Sequence, residues 1–99
     1  SLPAEFLRVH SPSAEVRGHG EGNETLQFGK RDIRITGLEQ AGNYALLILF
    51  SDGHDSGIFS WDYLRHLADN QDAMWSLYLE KLHTAGLSRD SDSQVIKLQ

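Results

Sequence analysis

Residues 44–65 read YALLILFSDGHDSGIFSWDYLR, and this stretch decides the fold of the chain. Residues 44–50 are almost entirely apolar, which is typical of a central strand that is covered on both faces. Asp52 and Gly53 then predict a type I′ turn, because both central residues of that turn need positive φ angles. Ser60 follows a second strand and is suited to cap a helix, so the stretch predicts a hairpin that leads into a helix.

The predicted turn also fixes the register of the hairpin, since it leaves only two residues between the paired strands. The expected cross-strand pairs are Ser51 with His54, Ile48 with Gly57, Leu47 with Ile58, and Leu46 with Phe59. Because Gly57 has no side chain, we expect another group of the protein to pack closely against it.

Apolar residues with the spacing of a helix follow the hairpin. Trp75, Tyr78, Leu79 and Leu82 lie at i, i+3, i+4 and i+7, which predicts one apolar helix stripe that faces the sheet. Gly86 is suited to end this helix in a left-handed conformation.

Two further elements are predicted upstream of residue 44. A short helix is expected at the start of the chain, where Pro3 is tolerated at the first helical position. Ile33 and Ile35 alternate with polar residues, which predicts a half-buried strand. The elements together predict an α+β domain, in which a small antiparallel β-meander from about residue 31 to residue 60 packs against C-terminal helices.

The composition limits the functions that are open to the chain. Its 99 residues suit one domain, and the absence of cysteine excludes disulfides, thiolate metal sites and thiol catalysis. No stretch is apolar enough to span a membrane, and a net charge of −5 argues against binding to nucleic acid. These features predict a cytoplasmic protein that binds neither nucleic acid nor membranes.

Histidines are the first candidates for a functional site. His10, His19 and His54 could converge with Glu15 or Asp55 on zinc or iron, because imidazole and carboxylate groups suit these metals. No short ligand spacing supports such a site. The alternative is that His54 is an ordinary hairpin residue and His19 an ordinary loop residue.

The sequence argues against a catalytic relay and offers one candidate contact for a protein partner. His54 and the two residues after it combine histidine, aspartate and serine, but neighbouring strand residues point to opposite faces and cannot form a relay. Among the aromatic residues, Trp61 and Trp75 are expected in the core because of their helical spacing. Tyr63 lies off that stripe and is the predicted partner contact.

The chain also resembles a known family. The segments that carry the resemblance are LRVHSPSAEVRGHG at residues 7–20, GNY at residues 42–44 and FSDGHDSGIFSWDYL at residues 50–64, with Trp75, Tyr78, Leu79 and Leu82 beyond them. They resemble the gamma-butyrobetaine hydroxylase-like N-terminal domain family, a group of small bacterial proteins of unknown function. The resemblance implies an additional β-hairpin ahead of Leu2. Similar modules precede the iron- and 2-oxoglutarate-dependent catalytic domain of carnitine-pathway hydroxylases, or are appended to an iron–sulfur cluster carrier ATPase of plastids.

One ligand set that the resemblance implies is missing here. In the hydroxylases, the module binds a structural zinc through a Cys-x-Cys-x-x-Cys run and a distant histidine. The corresponding positions are Ser11, Ser13 and Val16 in this chain, and only His54 matches. We therefore expect no cofactor, with zinc or iron held by histidine and carboxylate groups as the alternative. The oxygenase domain has no counterpart in this sequence, so no enzyme activity is expected.

These observations predict an interaction or accessory domain whose partner is a protein, associated through the resemblance with iron- or iron–sulfur-dependent proteins. We expect residues 1–87 to form the domain and residues 88–99 to form a flexible tail. Without the hairpin ahead of Leu2, one edge of the sheet is expected to be exposed, which predicts weak self-association through that edge.

Overall fold

The structure is a computed structural model that describes residues 2–13, 16 and 26–90 of the chain. Its helices and strands, in chain order, are α1 (Ala4–Val9), β1 (Ile35–Ala41), β2 (Ala45–Phe50), β3 (Gly57–Ser60), α2 (Trp61–Asp69) and α3 (Gln71–Ala85). The three strands form one antiparallel sheet in the order β1-β2-β3. The predicted α+β meander with C-terminal helices is therefore confirmed.

The register of the hairpin is the one that the sequence predicts. Strand β2 pairs with β3 so that Leu46 lies opposite Phe59, and the two following pairs bring Ile48 opposite Gly57. Strand β1 begins later than the predicted residue 31, because the backbone N–H of Ile33 donates to a carbonyl three residues earlier and closes a turn there.

The turn between β2 and β3 differs from the predicted type I′ turn. Gly53 has a φ of 87°, but no other residue of this loop has a positive φ. Asp52 uses its side chain instead, since its Oδ1 accepts a hydrogen bond from the backbone N–H of His54 at 3.1 Å. This Asx-type turn shortens both strands, which end at Phe50 and resume at Gly57, while the register between them is kept.

The core lies between the sheet and the helices. Side chains alternate along a strand, so Ile48 and Phe50 of β2 share one face with Phe59 of β3. This inner face packs against Phe6 of α1 and Leu67 of α2, and all five side chains are buried. We call the opposite side of the sheet the outer face.

Helix α2 begins as predicted, because the Ser60 hydroxyl accepts a hydrogen bond from the backbone N–H of Tyr63 at 3.0 Å. The prediction that Trp61 lies in the core is wrong, since Trp61 is 46% exposed. Its indole N–H donates to the carbonyl of Asn43 at 3.0 Å, so the ring is directed toward the β1–β2 turn, and Leu67 supplies the buried contact of α2.

Helix α3 packs on the core cluster that includes the inner face of the sheet, through Met74 and Trp75, and also on α1. Tyr78 and Leu82 of its apolar stripe form a buried cluster with Val9, whereas Leu79 of the same stripe is 38% exposed. The helix ends at Gly86, whose φ of 69° confirms the predicted left-handed end.

The residues just beyond the predicted domain boundary are attached to the domain. The backbone N–H of Arg31 donates to the carbonyl of Arg89 at 3.0 Å, and the Arg89 guanidinium binds the Glu5 carboxylate through two hydrogen bonds of 2.7 and 2.8 Å. Arg89 is thus hydrogen-bonded to the rest of the domain, the predicted domain bounds stay a prediction, and residues 91–99 lie outside the described residues.

Candidate functional site

His54 is held in a buried cluster of hydroxyl groups. Its Nε2 lies 2.9 Å from the Ser11 Oγ and 3.3 Å from the Ser13 Oγ, and all three residues are buried. The backbone N–H of Ser13 also donates to the Ser11 Oγ at 3.4 Å, which closes the loop around that hydroxyl. The cluster fastens the segment after α1 to the loop between β2 and β3. We call these three residues the His54 cluster.

Gly57 is the position that lets this cluster form. A Cβ atom on Gly57 would lie 2.4 Å from the Ser11 Oγ, which is closer than real Cβ contacts allow, and 3.0 Å from the Phe59 ring, which is a tight contact. The expectation that another group packs against Gly57 is confirmed, and the group is Ser11. The sequence signal for Ser11 was present in the family resemblance, but the residue pattern alone gives no reason to join positions 11 and 57.

The residues of the His54 cluster do not fit a structural zinc ion. Zinc in such sites takes thiolate sulfur, imidazole nitrogen or carboxylate oxygen as ligands. Here His54 offers one imidazole, Ser11 and Ser13 offer neutral hydroxyls, and position 16 is a buried valine. The hydroxyls instead serve as hydrogen-bond partners of the imidazole, so the contacts at this site are those of a packed polar core.

The carboxylate of Asp52 joins the same loop to α1. Its Oδ2 lies 3.0 Å from the Arg8 Nε and 2.7 Å from the Lys30 Nζ. Burial would by itself raise the pKa of Asp52, but hydrogen bonds from Lys30 and from the His54 backbone, together with Arg8, lower the pKa to about 2. Asp52 is therefore ionised at neutral pH and links three segments of the chain.

His10 lies at the end of α1, in surroundings different from those of His54. Its Nδ1 is 2.9 Å from the carbonyl of Phe6, and its own carbonyl accepts a hydrogen bond from the Tyr63 hydroxyl at 2.6 Å. Burial lowers the pKa of His10, the Phe6 carbonyl partly offsets this, and the charge of Lys81 lowers it further. The imidazole of His10 is therefore mainly neutral at pH 7.

The structure does not show the predicted histidines meeting at one site. His54 bonds to the hydroxyls of its cluster, His10 bonds to α1, and His19 lies outside the described residues. Within residues 2–13, 16 and 26–90, no group of three or more histidine, aspartate or glutamate side chains is arranged to hold a metal ion. Binding of zinc or iron by His10, His19 and His54 stays a prediction.

Tyr63, the predicted partner contact, is half-buried. Its ring packs near Phe59 with centroids 6.0 Å apart, and its hydroxyl donates a hydrogen bond to the His10 carbonyl. Trp61 and Tyr44 expose far more aromatic surface, at 46% and 66%. A role for Tyr63 in partner binding stays a prediction.

The outer face of the sheet presents apolar side chains to solvent. The register places Glu39, Leu47 and Ile58 in one row across β1, β2 and β3. Ile58 is 51% exposed and Leu47 is half-buried. Both are large apolar residues of the kind that strands usually bury in a core. Among the described residues, the sheet contributes only inner-face side chains to the two buried clusters. The outer face is thus covered in part, since Ala45 on the same face is fully buried whereas Ile58 is exposed.

The fold and these surroundings define a small α+β domain that is held by a buried polar cluster and carries an open sheet face. The profile of the gamma-butyrobetaine hydroxylase-like N-terminal family matches residues 1–65. The chain belongs to this family. No curated protein gives a significant match. No helix of the described ranges is both long and apolar enough to cross a membrane.

Three solved structures are similar to the chain. Two are NMR solution structures: one is 61% identical, with a TM-score of 0.79 over 90% of this chain and 70% of its own, and the other is 48% identical, with a TM-score of 0.74 over 89% and 65%. The third is the crystal structure of a protein of unknown function from Acidithiobacillus ferrooxidans that belongs to the DUF971 family. It is 38% identical, with a TM-score of 0.50 over 64% of this chain and 60% of its own.

Proposed function

We propose that this chain is a non-catalytic interaction domain that presents the outer face of its sheet to a protein partner. The observation that carries the proposal is the row formed by Glu39, Leu47 and Ile58, in which an apolar residue of β3 is 51% exposed. Apolar residues that are contiguous and exposed on a small protein commonly mark an interaction surface.

The chemistry of the row indicates the kind of partner. Leu47 and Ile58 favour an apolar surface, and the exposed carboxylate of Glu39 beside them favours a basic residue at its rim. The net charge of −5 acts in the same direction, since it attracts a positively charged partner during diffusional encounter. We therefore infer an apolar protein surface that is bordered by lysine or arginine.

The family supports a narrower partner class. The matching profile is described as gamma-butyrobetaine hydroxylase-like, N-terminal. The resemblance seen in the sequence implies that similar modules precede iron- and 2-oxoglutarate-dependent catalytic domains. We propose that the partner is an iron- or iron–sulfur-dependent protein. The domain would then act as an accessory module in the cytoplasm, where such a partner is available.

Affinity capture with matched variants tests the proposal. The wild-type protein, Ile58→Lys and Leu79→Lys are each immobilised and exposed to extract of the source cells, and the captured proteins are quantified by mass spectrometry. We expect Ile58→Lys to lose a partner that the wild type enriches, because a charge is placed in the apolar row. We expect Leu79→Lys to retain it, since Leu79 is a comparably exposed apolar residue on α3.

The circular dichroism spectra of both variants establish that they are folded. Equal capture by the wild type and Ile58→Lys would contradict the role of the outer face. Captured proteins that contain neither iron nor an iron–sulfur cluster would contradict the narrower partner class while leaving the interaction surface in place.

A further inference from the structure

A cavity of about 240 Å³ lies between the end of α1 and the side of α3. Its apolar walls are formed by Val9, Val16, Leu26, Met74 and Leu77. Ligand sites in proteins usually have volumes of about 300–1,000 Å³, so this cavity suits only a small molecule. It is separate from the outer face of the sheet, and it borders the buried cluster of Val9 and Tyr78.

His10 gives the cavity a defined hydrogen-bond acceptor. A backbone carbonyl can only accept, so the His10 Nδ1 must donate to the carbonyl of Phe6 at 2.9 Å. In the neutral imidazole the proton is thus on Nδ1, and Nε2 carries a free lone pair. No donor from the described part of the chain occupies that nitrogen, and the ring lines the cavity. The ring therefore offers an acceptor to a ligand hydroxyl.

Aromatic rings and a cation complete the lining. Tyr63 and Tyr78 line the cavity, and their hydroxyls already donate to backbone carbonyls at 2.6 and 2.9 Å. They contribute ring surface and do not compete for the ligand's polar groups. Lys81 also lines the cavity, is exposed, and forms no ion pair within the described residues. A carboxylate on the ligand complements this ammonium group.

We propose that this cavity binds a small aromatic carboxylate that also carries a hydroxyl group. The aromatic ring lies between the apolar walls, the hydroxyl donates to the His10 Nε2, and the carboxylate pairs with Lys81. This site is independent of the proposed protein-interaction surface, since none of the residues that line it belongs to the sheet.

Titration by heteronuclear NMR with three matched probes tests the proposal on the whole protein. The probes are para-hydroxyphenylacetate, phenylacetate, which lacks the hydroxyl, and para-hydroxyphenylethanol, which lacks the carboxylate. We expect shifts at Val9, Met74 and Leu77 with the first probe. Loss of the hydroxyl should weaken binding about threefold to tenfold, and loss of the carboxylate about twofold to fivefold. At saturation, the His10 Nε2 resonance should move further with the two probes that carry a hydroxyl than with phenylacetate.

Two variants, each of which removes one positive charge, separate the carboxylate contact at Lys81 from a general effect of the protein's charge. Lys81→Met should remove the preference for the carboxylate and keep the preference for the hydroxyl. Arg65→Met removes an exposed cation of α2 and should change neither preference. Equal affinity for the three probes, shifts that avoid the cavity, or an unchanged carboxylate preference in Lys81→Met would each overturn the proposal.

Discussion

Phe59 and Ile58 are neighbours on β3, yet Phe59 is fully buried and Ile58 is 51% exposed. Both are large apolar residues on the same short strand, so their sequence character does not distinguish them. The difference lies in what meets each face of the sheet. Helices α1 and α2 cover the inner face, and the His54 cluster fastens the loop beside it. The comparison shows that the helices and the polar cluster cover the inner face, whereas the outer face is exposed at Ile58.

Truncation of the two neighbours should give the largest contrast. Phe59→Ala should lower the free energy of unfolding by about 4 kcal/mol, because it opens a cavity in the inner core. Ile58→Ala should lower it by about 0.5 kcal/mol, since the exposed side chain loses few contacts. Urea unfolding followed by circular dichroism measures both. Similar losses for the two variants would show that the outer face is covered in solution.

Gly57→Ala should give the next largest effect, about 2 kcal/mol of destabilisation. The added methyl group would lie 2.4 Å from the Ser11 Oγ, and this hydroxyl is held in place by His54. The matched control is Gly37→Ala in β1. Its methyl group would lie 3.0 Å from the end of the flexible Leu49 side chain, so it should be tolerated.

A second substitution tests whether the Ser11 hydroxyl causes that effect. Ser11→Ala alone should cost about 1.5 kcal/mol, because the hydroxyl that bonds to the buried His54 imidazole is lost. In the double variant with Gly57→Ala, the clash with the Ser11 hydroxyl is gone and the tight contact with Phe59 remains. The combined loss should be smaller than the sum of the two single losses by about 1 kcal/mol. Additive losses, measured by the same urea unfolding, would mean that the methyl group is accommodated by another movement.

The sequence predicted the backbone of the hairpin better than its surroundings. The pairing of Leu46 with Phe59 followed from Asp52 and Gly53, because turn position determines strand register. The turn type was wrong, since the Asp52 carboxylate bonds to the downstream backbone and removes the need for a positive φ at that residue. Local chemistry competes with turn statistics, and only the structure shows which prevails.

The candidate site was predictable only in part, because its residues are far apart in the chain. His54 and Ser11 are separated by 43 positions, and no periodic pattern connects them. The exposed position of Trp61 was also missed, since helical spacing does not show that its indole N–H finds a carbonyl in the β1–β2 turn. Burial of a residue depends on the neighbours that the tertiary fold supplies.

Asp52 gives the smallest predicted effect, and it tests how the closed side of the domain depends on pH. Its pKa falls from 3.8 to about 2 in the folded protein, so ionisation favours the folded state above pH 4. This contribution falls as the pH drops from about 4 to about 2, where about half of the carboxylates in the folded protein are protonated. Asp52→Asn keeps an oxygen for the His54 backbone N–H but removes the ion pairs with Arg8 and Lys30. The pair with Lys30 is exposed to solvent, so we expect a loss of only about 1 kcal/mol at pH 7 and a small remainder of it near pH 2. Asp55→Asn changes the net charge equally on an exposed residue of the same loop and serves as the matched control. Urea unfolding across this pH range measures the difference, and a loss that stays constant down to pH 2 would mean that the Asp52 charge does not stabilise the connection between the hairpin loop and α1.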